Sequence, residues 1–409
     1  MADLSAAASQ SSLKERVCQP LDPAQSVWAT YLVTHPEMDF DKMALEIAVG
    51  QTLGTANLDV LAQGEAYLAK VQSVRILQDL PRRALIEVAF PLPAISSDIG
   101  TLMTVIFGKI SMAGAIRLVD LKIPQALSSP RMLGPAFGAD GIRALTGVTN
   151  PVHPLLMCIF KPSLGVSPDQ LARVFESVAV AGVDCIKDDE ILSDADLDSA
   201  KGRLEAILTA SAKIQSQSGK SPLYAINLTG PADELLDRAN ALVEQGANCF
   251  LFNYLSYGLP MLAALRSANL GVPIMAHPAL AGSFYGSPAH GISPGVLFGV
   301  LPRLAGADMV LYPSPYGSVA LQMQDAQEVC EALRQSWDGF KTVLPAPSAG
   351  IKHTMCDVIL KDFGPEVIIN AGTGIHDVEG GPAKGVSAFR EAIQASVPDY
   401  PLNIVEAAR

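Results

Sequence analysis

From about residue 150 onward the chain alternates between short apolar runs and helical segments. The runs cover residues 155–161, 185–190, 223–229, 249–254, 273–277, 309–314, 343–348 and 367–373, and each ends in polar residues or glycine. Apolar runs of this length with polar stops read as strands buried on both faces. They start roughly 24 to 38 residues apart, leaving room for a crossover helix each time. Eight such units in about 250 residues is the count of a (β/α)8 TIM barrel. A doubly wound sheet would need a glycine fingerprint after its first strand. Phe160-Lys-Pro-Ser-Leu-Gly165 is not one.

Upstream the strict alternation is lost. Residues 27–33 read as a strand, 40–49 as a helix, and 66–74 and 84–90 as strands. A helix over 95–101, a strand over 102–107 and a strand over 116–123 follow. Strands and helices mixed in this way predict an α+β domain. The fold expected is therefore α/β. A loose Ala/Ser-rich N-terminal segment spans 1–24, a smaller α+β N-terminal domain 25–145, and the (β/α)8 barrel catalytic domain 146–409.

Composition narrows the class. With 49% hydrophobic and 17% charged residues the 409-residue chain can bury a large core, and a mean hydropathy of +0.28 fits a well-covered parallel sheet. A net charge of −12 and the lack of a basic cluster argue against nucleic acid as a partner. Of the six cysteines none forms a CxxC pair, and three lie in apolar strand-like runs, which suggests a reducing cytoplasm. The first residues lack the basic flank and apolar block of a signal peptide. No apolar stretch reaches the ~18 residues needed to span a membrane. A cytoplasmic location is expected.

One strand end stands out chemically. The apolar run 183–186 stops abruptly at Lys187, Asp188, Asp189 and Glu190. Alternation along a strand puts Lys187 and Asp189 on one face, with Glu190 where the chain turns. Three acids and an amine at a buried strand end are unfavourable unless neutralised, and a hard divalent cation such as Mg²⁺ would do so. The plainer reading is a solvated acidic turn. Other strand ends bring Lys161, Asn227, Thr229, Asn253, His277 and Ser314 to the same barrel mouth, where barrel active sites lie. The last two ends, Ser348-Ala-Gly350 and Ala371-Gly-Thr-Gly374, would offer backbone N–H groups to an anion such as phosphate, or are ordinary tight turns.

Taken together these ends resemble the large subunit of ribulose-bisphosphate carboxylase, and more closely the RuBisCO-like proteins that do not fix CO₂. Gly182-Val-Asp-Cys-Ile-Lys-Asp-Asp-Glu190 matches the family's metal motif. Phe160-Lys-Pro-Ser-Leu-Gly165, Ala276-His-Pro278, Ala305-Gly-Ala-Asp308, Pro313-Ser-Pro-Tyr-Gly-Ser318 and Pro347-Ser-Ala-Gly350 support it. The resemblance implies a CO₂-derived carbamate on Lys187 (N6-carboxylysine) that holds Mg²⁺ with Asp189 and Glu190. It implies proton removal next to a ketone, with Lys109 or Lys161 as the base. His277 and His290 would orient substrate oxygens. Thr55, Ser348, Gly350, Gly372 and Thr373 would bind one phosphate. It further implies a homodimer with sites at the subunit interface. Lone histidines are more often structural, and an exposed lysine such as Lys109 is commonly just a solvated turn residue.

Departures from the carboxylases shape the expected reaction. Residues 312–319 lack their loop lysine, Ser163 replaces the second lysine of their Lys-Pro-Lys segment, and Pro278 replaces an arginine. Gly50-Gln-Thr-Leu-Gly-Thr55 lacks their acidic residue. Carbon fixation is therefore not expected, and one phosphate site points to a monophosphate. Pro162-Ser163 and Ile375-His-Asp-Val-Glu-Gly-Gly381 also differ from the methionine-salvage enolases. The favoured expectation is thus carbon–carbon cleavage, by decarboxylation or hydrolysis, of a branched 3-oxo sugar-acid phosphate such as 3-oxo-isoapionate 4-phosphate in carbohydrate breakdown. The alternative is a 2,3-diketo-5-methylthiopentyl-1-phosphate enolase. A metal-free binding or stress-response relative is the more distant possibility.

Overall fold

The computed structural model describes residues 12–400 apart from 36, 38, 78–80, 96, 97, 128, 130, 131 and 318. In chain order the strands are β1 (Ser26–Thr34), β2 (Lys70–Leu77), β3 (Arg83–Pro91), β4 (Ile116–Lys122), β5 (Leu155–Ile159), β6 (Cys185–Lys187) and β7 (Leu223–Asn227). They continue as β8 (Cys249–Phe252), β9 (Ile274–Ala276), β10 (Gly291–Ile292), β11 (Met309–Pro313), β12 (Leu344–Ser348) and β13 (Ile368–Ala371). The chain divides into two compact units. The first holds Met1–Leu133, Leu280–Leu301 and Trp337–Phe340, and the second Gly134–Ala279, Pro302–Ser336 and Lys341–Arg409.

In the first unit a mixed sheet runs β10-β4-β1-β3-β2. β1 buries Val27, Ala29, Tyr31 and Val33 on one face, the period of two that makes a strand legible. It pairs antiparallel with β3 and β4, and the two residues of β10 add in parallel to β4. The helix Phe40–Gly50 begins where the Asp39 carboxylate accepts the Asp41 and Lys42 N–H groups.

Two expectations for this unit need correction. Residues 102–107 are not a strand: they belong to the helix Ile99–Phe107. Thr101, Thr104, Val105 and Ile106 are β-branched and bias the segment towards a strand. The Asp98 side chain nevertheless caps the Thr101 N–H at 2.9 Å, and Ile99, Leu102 and Ile106 fall on one buried helical face. Likewise β2 starts at Lys70 rather than 66, because Glu65–Tyr67 forms a 3-10 turn. Of the N-terminal segment, residues 12–17 are helical and Val17 is buried, while 1–11 lie outside the described residues.

The second unit is the eight-stranded parallel barrel. Its strands follow the chain from β5 to β9, then β11 and β12, and β13 pairs back on β5. β12 and β13 lie side by side, bridged where Asn370 Nδ2 donates to Ser348 Oγ at 2.8 Å. Alternate residues fill the interior, with Leu155 and Met157, Leu223 and Ala225, and Cys249 and Leu251 in one cluster. At the amino ends of the strands the buried Asp308 carboxylate accepts the N–H groups of Phe137 (2.6 Å), Gly138 (2.9 Å) and Ile274 (3.0 Å). That satisfied anion holds strands together and faces away from the mouth. All six cysteines are free, and no described helix is long and apolar enough to cross a membrane.

Candidate active site

The end of β6 separates its charges by the alternation of the strand. Asp188 is fully buried against Arg203, which reaches it from the helix Leu197–Ser218. Tyr224 donates its hydroxyl to Asp188 at 2.7 Å, and the Asn227 N–H does so at 2.8 Å. Arg203 also grips Asp194 through Nε at 3.1 Å and through Nη2, so one guanidinium spans the loop that follows β6. Lys187 and Asp189 take the other face.

Lys187 is completely buried, its Nζ donating to the Asp188 carbonyl at 2.8 Å and lying 3.9 Å from Glu190 Oε2. Burial holds its pKa below the ordinary lysine value, although Glu190, Asp189 and Asp188 pull the other way. Burial also works to raise the Asp189 pKa, but hydrogen bonds from Lys161 and Ser163 outweigh it and keep the carboxyl below its usual range. Lys161 Nζ lies 2.6 Å and Ser163 Oγ 2.7 Å from Asp189 Oδ2. Glu190 is half-buried, with His277 Nε2 3.4 Å from its Oε2. His277 Nδ1 accepts the Ala279 N–H at 3.2 Å. Burial, with the nearby Lys187, pushes the imidazole well below its normal pKa against a smaller pull from Asp189. The ring is thus neutral, with its hydrogen on Nε2 towards Glu190.

Further round the mouth, past β5, Ser348 closes β12, its Oγ donating to Ala346 O at 2.8 Å and accepting from Asn370. Ala349 follows at φ 71°, a left-handed conformation that a residue with a side chain rarely takes, and Gly350 at φ 74° is exposed. Gly372 sits behind Lys161: a Cβ there would lie 3.2 Å from Lys161 Cε, so the bare backbone gives the lysine stem room. Thr373 is exposed at the start of the short helix Thr373–His376.

The barrel therefore brings together Lys161, Lys187, Asp189, Glu190 and His277, with Ser348, Gly350, Gly372 and Thr373 at the ends of β12 and β13. Thr55, Lys109 and His290 belong to the first unit. Thr55 Oγ1 accepts the Asn57 N–H at 3.2 Å, His290 is exposed just before β10, and Lys109 is exposed on the 3-10 turn Lys109–Met112. Gly108 makes that turn possible, because a Cβ there would lie 2.3 Å from Thr104 O.

Sequence reasoning placed Asn227 and Asn253 at the barrel mouth without assigning them a task, and it passed over Arg203. Arg203 had a signal, since it shares the buried stripe of its helix with Ala200, Leu204 and Ile207, and a charge on such a stripe needs a partner. No group of three His, Cys, Asp or Glu side chains among the described residues could hold a metal. Asp189, Glu190 and a buried amine fit one only if the amine becomes an anionic oxygen donor, and the depressed pKa of Lys187 favours the neutral form that can react with CO₂. In that sense the residues fit the expected cation.

A family model described as ribulose bisphosphate carboxylase large chain, catalytic domain, matches residues 141–409. The chain is 41% identical over 396 residues to the 2,3-diketo-5-methylthiopentyl-1-phosphate enolase of Geobacillus kaustophilus, covering 93% of this chain and 95% of that one. A protein of the same name from Microcystis aeruginosa is 40% identical over 380 residues, covering 91% and 95%. Among solved structures, a rubisco-like protein (MtnW) from Alicyclobacillus acidocaldarius superposes with a TM-score of 0.85 at 37% identity, covering 95% of this chain and 97% of that one.

These relatives overturn the expected carbon–carbon cleavage of a branched sugar-acid phosphate, and with it the lyase or hydrolase class and a place in carbohydrate breakdown. They carry the name of the enolase alternative. The departures that pointed elsewhere are absorbed locally. Ser163 joins the Lys161–Asp189 pair as a third partner. His376, in the altered loop after β13, turns its Nε2 to the Ile159 carbonyl of β5 at 2.9 Å. The chain belongs to the ribulose bisphosphate carboxylase large-chain family, in its RuBisCO-like branch.

Proposed function

We propose that the protein enolises 2,3-diketo-5-methylthiopentyl-1-phosphate by removing a proton from the carbon beside a ketone. The 41% identity to an enolase of that name across 93% of the chain carries this reading. Asp189, Glu190 and a CO₂-carbamylated Lys187 would hold Mg²⁺, which when bound polarises a carbonyl oxygen and lowers the cost of an enolate. Lys161 already donates to Asp189 and Ser163, so its amine is occupied as a donor. That leaves Lys109, exposed on its turn, as the base. Neutral His277 offers its Nε2–H to a substrate oxygen, and His290 serves a second one. Thr55, Ser348, Gly350, Gly372 and Thr373 would take the single phosphate. The working unit would be a homodimer with sites completed across the subunit interface, in the cytoplasm.

The test is solvent exchange. Incubated in D₂O with Mg²⁺, bicarbonate and the diketone phosphate, the protein is expected to form the enol, and the reverse protonation is expected to place deuterium on the carbon that lost its proton, in the recovered diketone. Neither enol nor deuterium, in protein that binds Mg²⁺, would overturn the assignment.

A further inference from the structure

The loop that follows β6 is held from the neighbouring strands by two side-chain amides. Asn227, the last residue of β7, is buried and directs Nδ2 at the Glu190 carbonyl (3.0 Å) and the Leu192 carbonyl (2.8 Å). Asn253, just past β8 and also buried, directs its Nδ2 at the same Glu190 carbonyl at 3.1 Å. One backbone oxygen thus receives two carboxamides from two different strands. Their orientation is costly. With both nitrogens turned to Glu190, the buried Oδ1 atoms of Asn227 and Asn253 have no hydrogen-bond partner among the described residues. A buried acceptor left unmet disfavours the arrangement, so leaving two unmet to secure the Glu190 and Leu192 carbonyls is not explained by stability alone. The residue secured is the one whose carboxylate faces Lys187 and His277.

We propose that Asn227 and Asn253 are positioning residues, a paired carboxamide clamp that fixes the Glu190 backbone and so the direction from which its carboxylate meets a divalent cation. The inference rests on the cation reading above. A glutamate anchored at its own carbonyl enters the site from a fixed Cα. Without the clamp its carboxylate has to be ordered when the cation arrives, and affinity falls. Because both amides act on one oxygen, losing both costs less than the product of the single losses.

The experiment is Mg²⁺ titration by calorimetry in saturating bicarbonate, on wild type, Asn253→Ala, Asn227→Ala and the double variant. Thermal midpoints are measured in parallel without Mg²⁺. Each single variant is expected to weaken Mg²⁺ binding about tenfold, the lower end of what residues behind a metal ligand contribute, and the double variant less than a hundredfold. A purely structural role would lower the thermal midpoint but leave Mg²⁺ affinity of the folded protein unchanged, and that result overturns the clamp. Asn227 supports more of the loop than Asn253, so if Asn227→Ala does not fold, Asn253→Ala decides alone. Wild type that binds no Mg²⁺ would instead remove the cation reading, and the clamp with it.

Discussion

Lys161 reaches 2.6 Å across from the end of β5 to Asp189 at the end of β6, and Ser163 meets the same carboxylate oxygen. This contact opposes the effect of burial on Asp189. Burial would raise its pKa, but the two donors hold it below the ordinary carboxyl value. A carboxyl depressed in the folded state adds stability that is complete above its unfolded pKa, ~3.9, and is lost as pH falls through the folded value. In Lys161→Met the main donor is gone and burial pushes the other way. Thermal midpoints followed from pH ~7 down to ~3 are expected to fall earlier in the variant than in wild type. Superimposable acid limbs would show that the contact contributes no charge stabilisation.

Arg203 offers a larger effect. Its guanidinium neutralises the fully buried Asp188 and grips Asp194, so Arg203→Met leaves a carboxylate in the interior without its counter-charge. Breaking a buried pair from one side typically costs ~3–5 kcal/mol. Urea unfolding should show a loss of that order, and adding Asp188→Asn should recover more than half of it. A double variant as unstable as the single one would mean that Arg203 acts through packing rather than charge.

The barrel was legible because parallel strands covered on both faces are continuous apolar runs, and because their polar stops gather at one end by the geometry of the fold. Lys187, Asp189 and Glu190 could be read for that reason. What the sequence hid is non-local. Asn227 and Asn253 look like ordinary strand ends until their amides are seen meeting one carbonyl. The two residues of β10 are too few to show a period. The β-branched residues of 101–106 suggest a strand until the Asp98 cap is seen to start a helix. The expected carbon–carbon cleavage rested on Ser163 and the 375–381 loop as departures from the methionine-salvage enolases, whereas Ser163 bonds to Asp189 and His376 to the β5 backbone.

The buried amine of Lys187 opposes folding. Burial depresses its pKa, with the neighbouring acids only partly offsetting the effect. In the window between the folded value and the unfolded ~10.4, the unfolded chain binds the proton more readily, so stability declines as pH falls through that window. Below it the penalty is complete. Lys187→Met is therefore expected to stabilise the metal-free protein at neutral pH, while abolishing bicarbonate-dependent Mg²⁺ binding. The gain should shrink towards pH ~10. A less stable variant at pH ~7 would show that the amine is worth more as a hydrogen-bond donor than it costs to bury.

Lys109 is presented by a turn that other residues hold in place. Tyr31 donates to Ile106 O at 2.6 Å and Gln51 to Val105 O at 2.8 Å, fixing the last turn of the helix that leads into it. If Lys109 is the base, its replacement by alanine should slow deuterium exchange ~10²–10⁴-fold, with Mg²⁺ binding intact. Lys187→Ala should lose both. If each site draws Lys109 from one subunit and Lys187 from the other, mixing the two inactive variants under exchange conditions creates heterodimers with one intact site. Half of the dimers would be mixed, and one of their two sites works, so about a quarter of wild-type activity should return. No recovery, with subunit exchange verified by mass, would place both lysines of a site on the same chain.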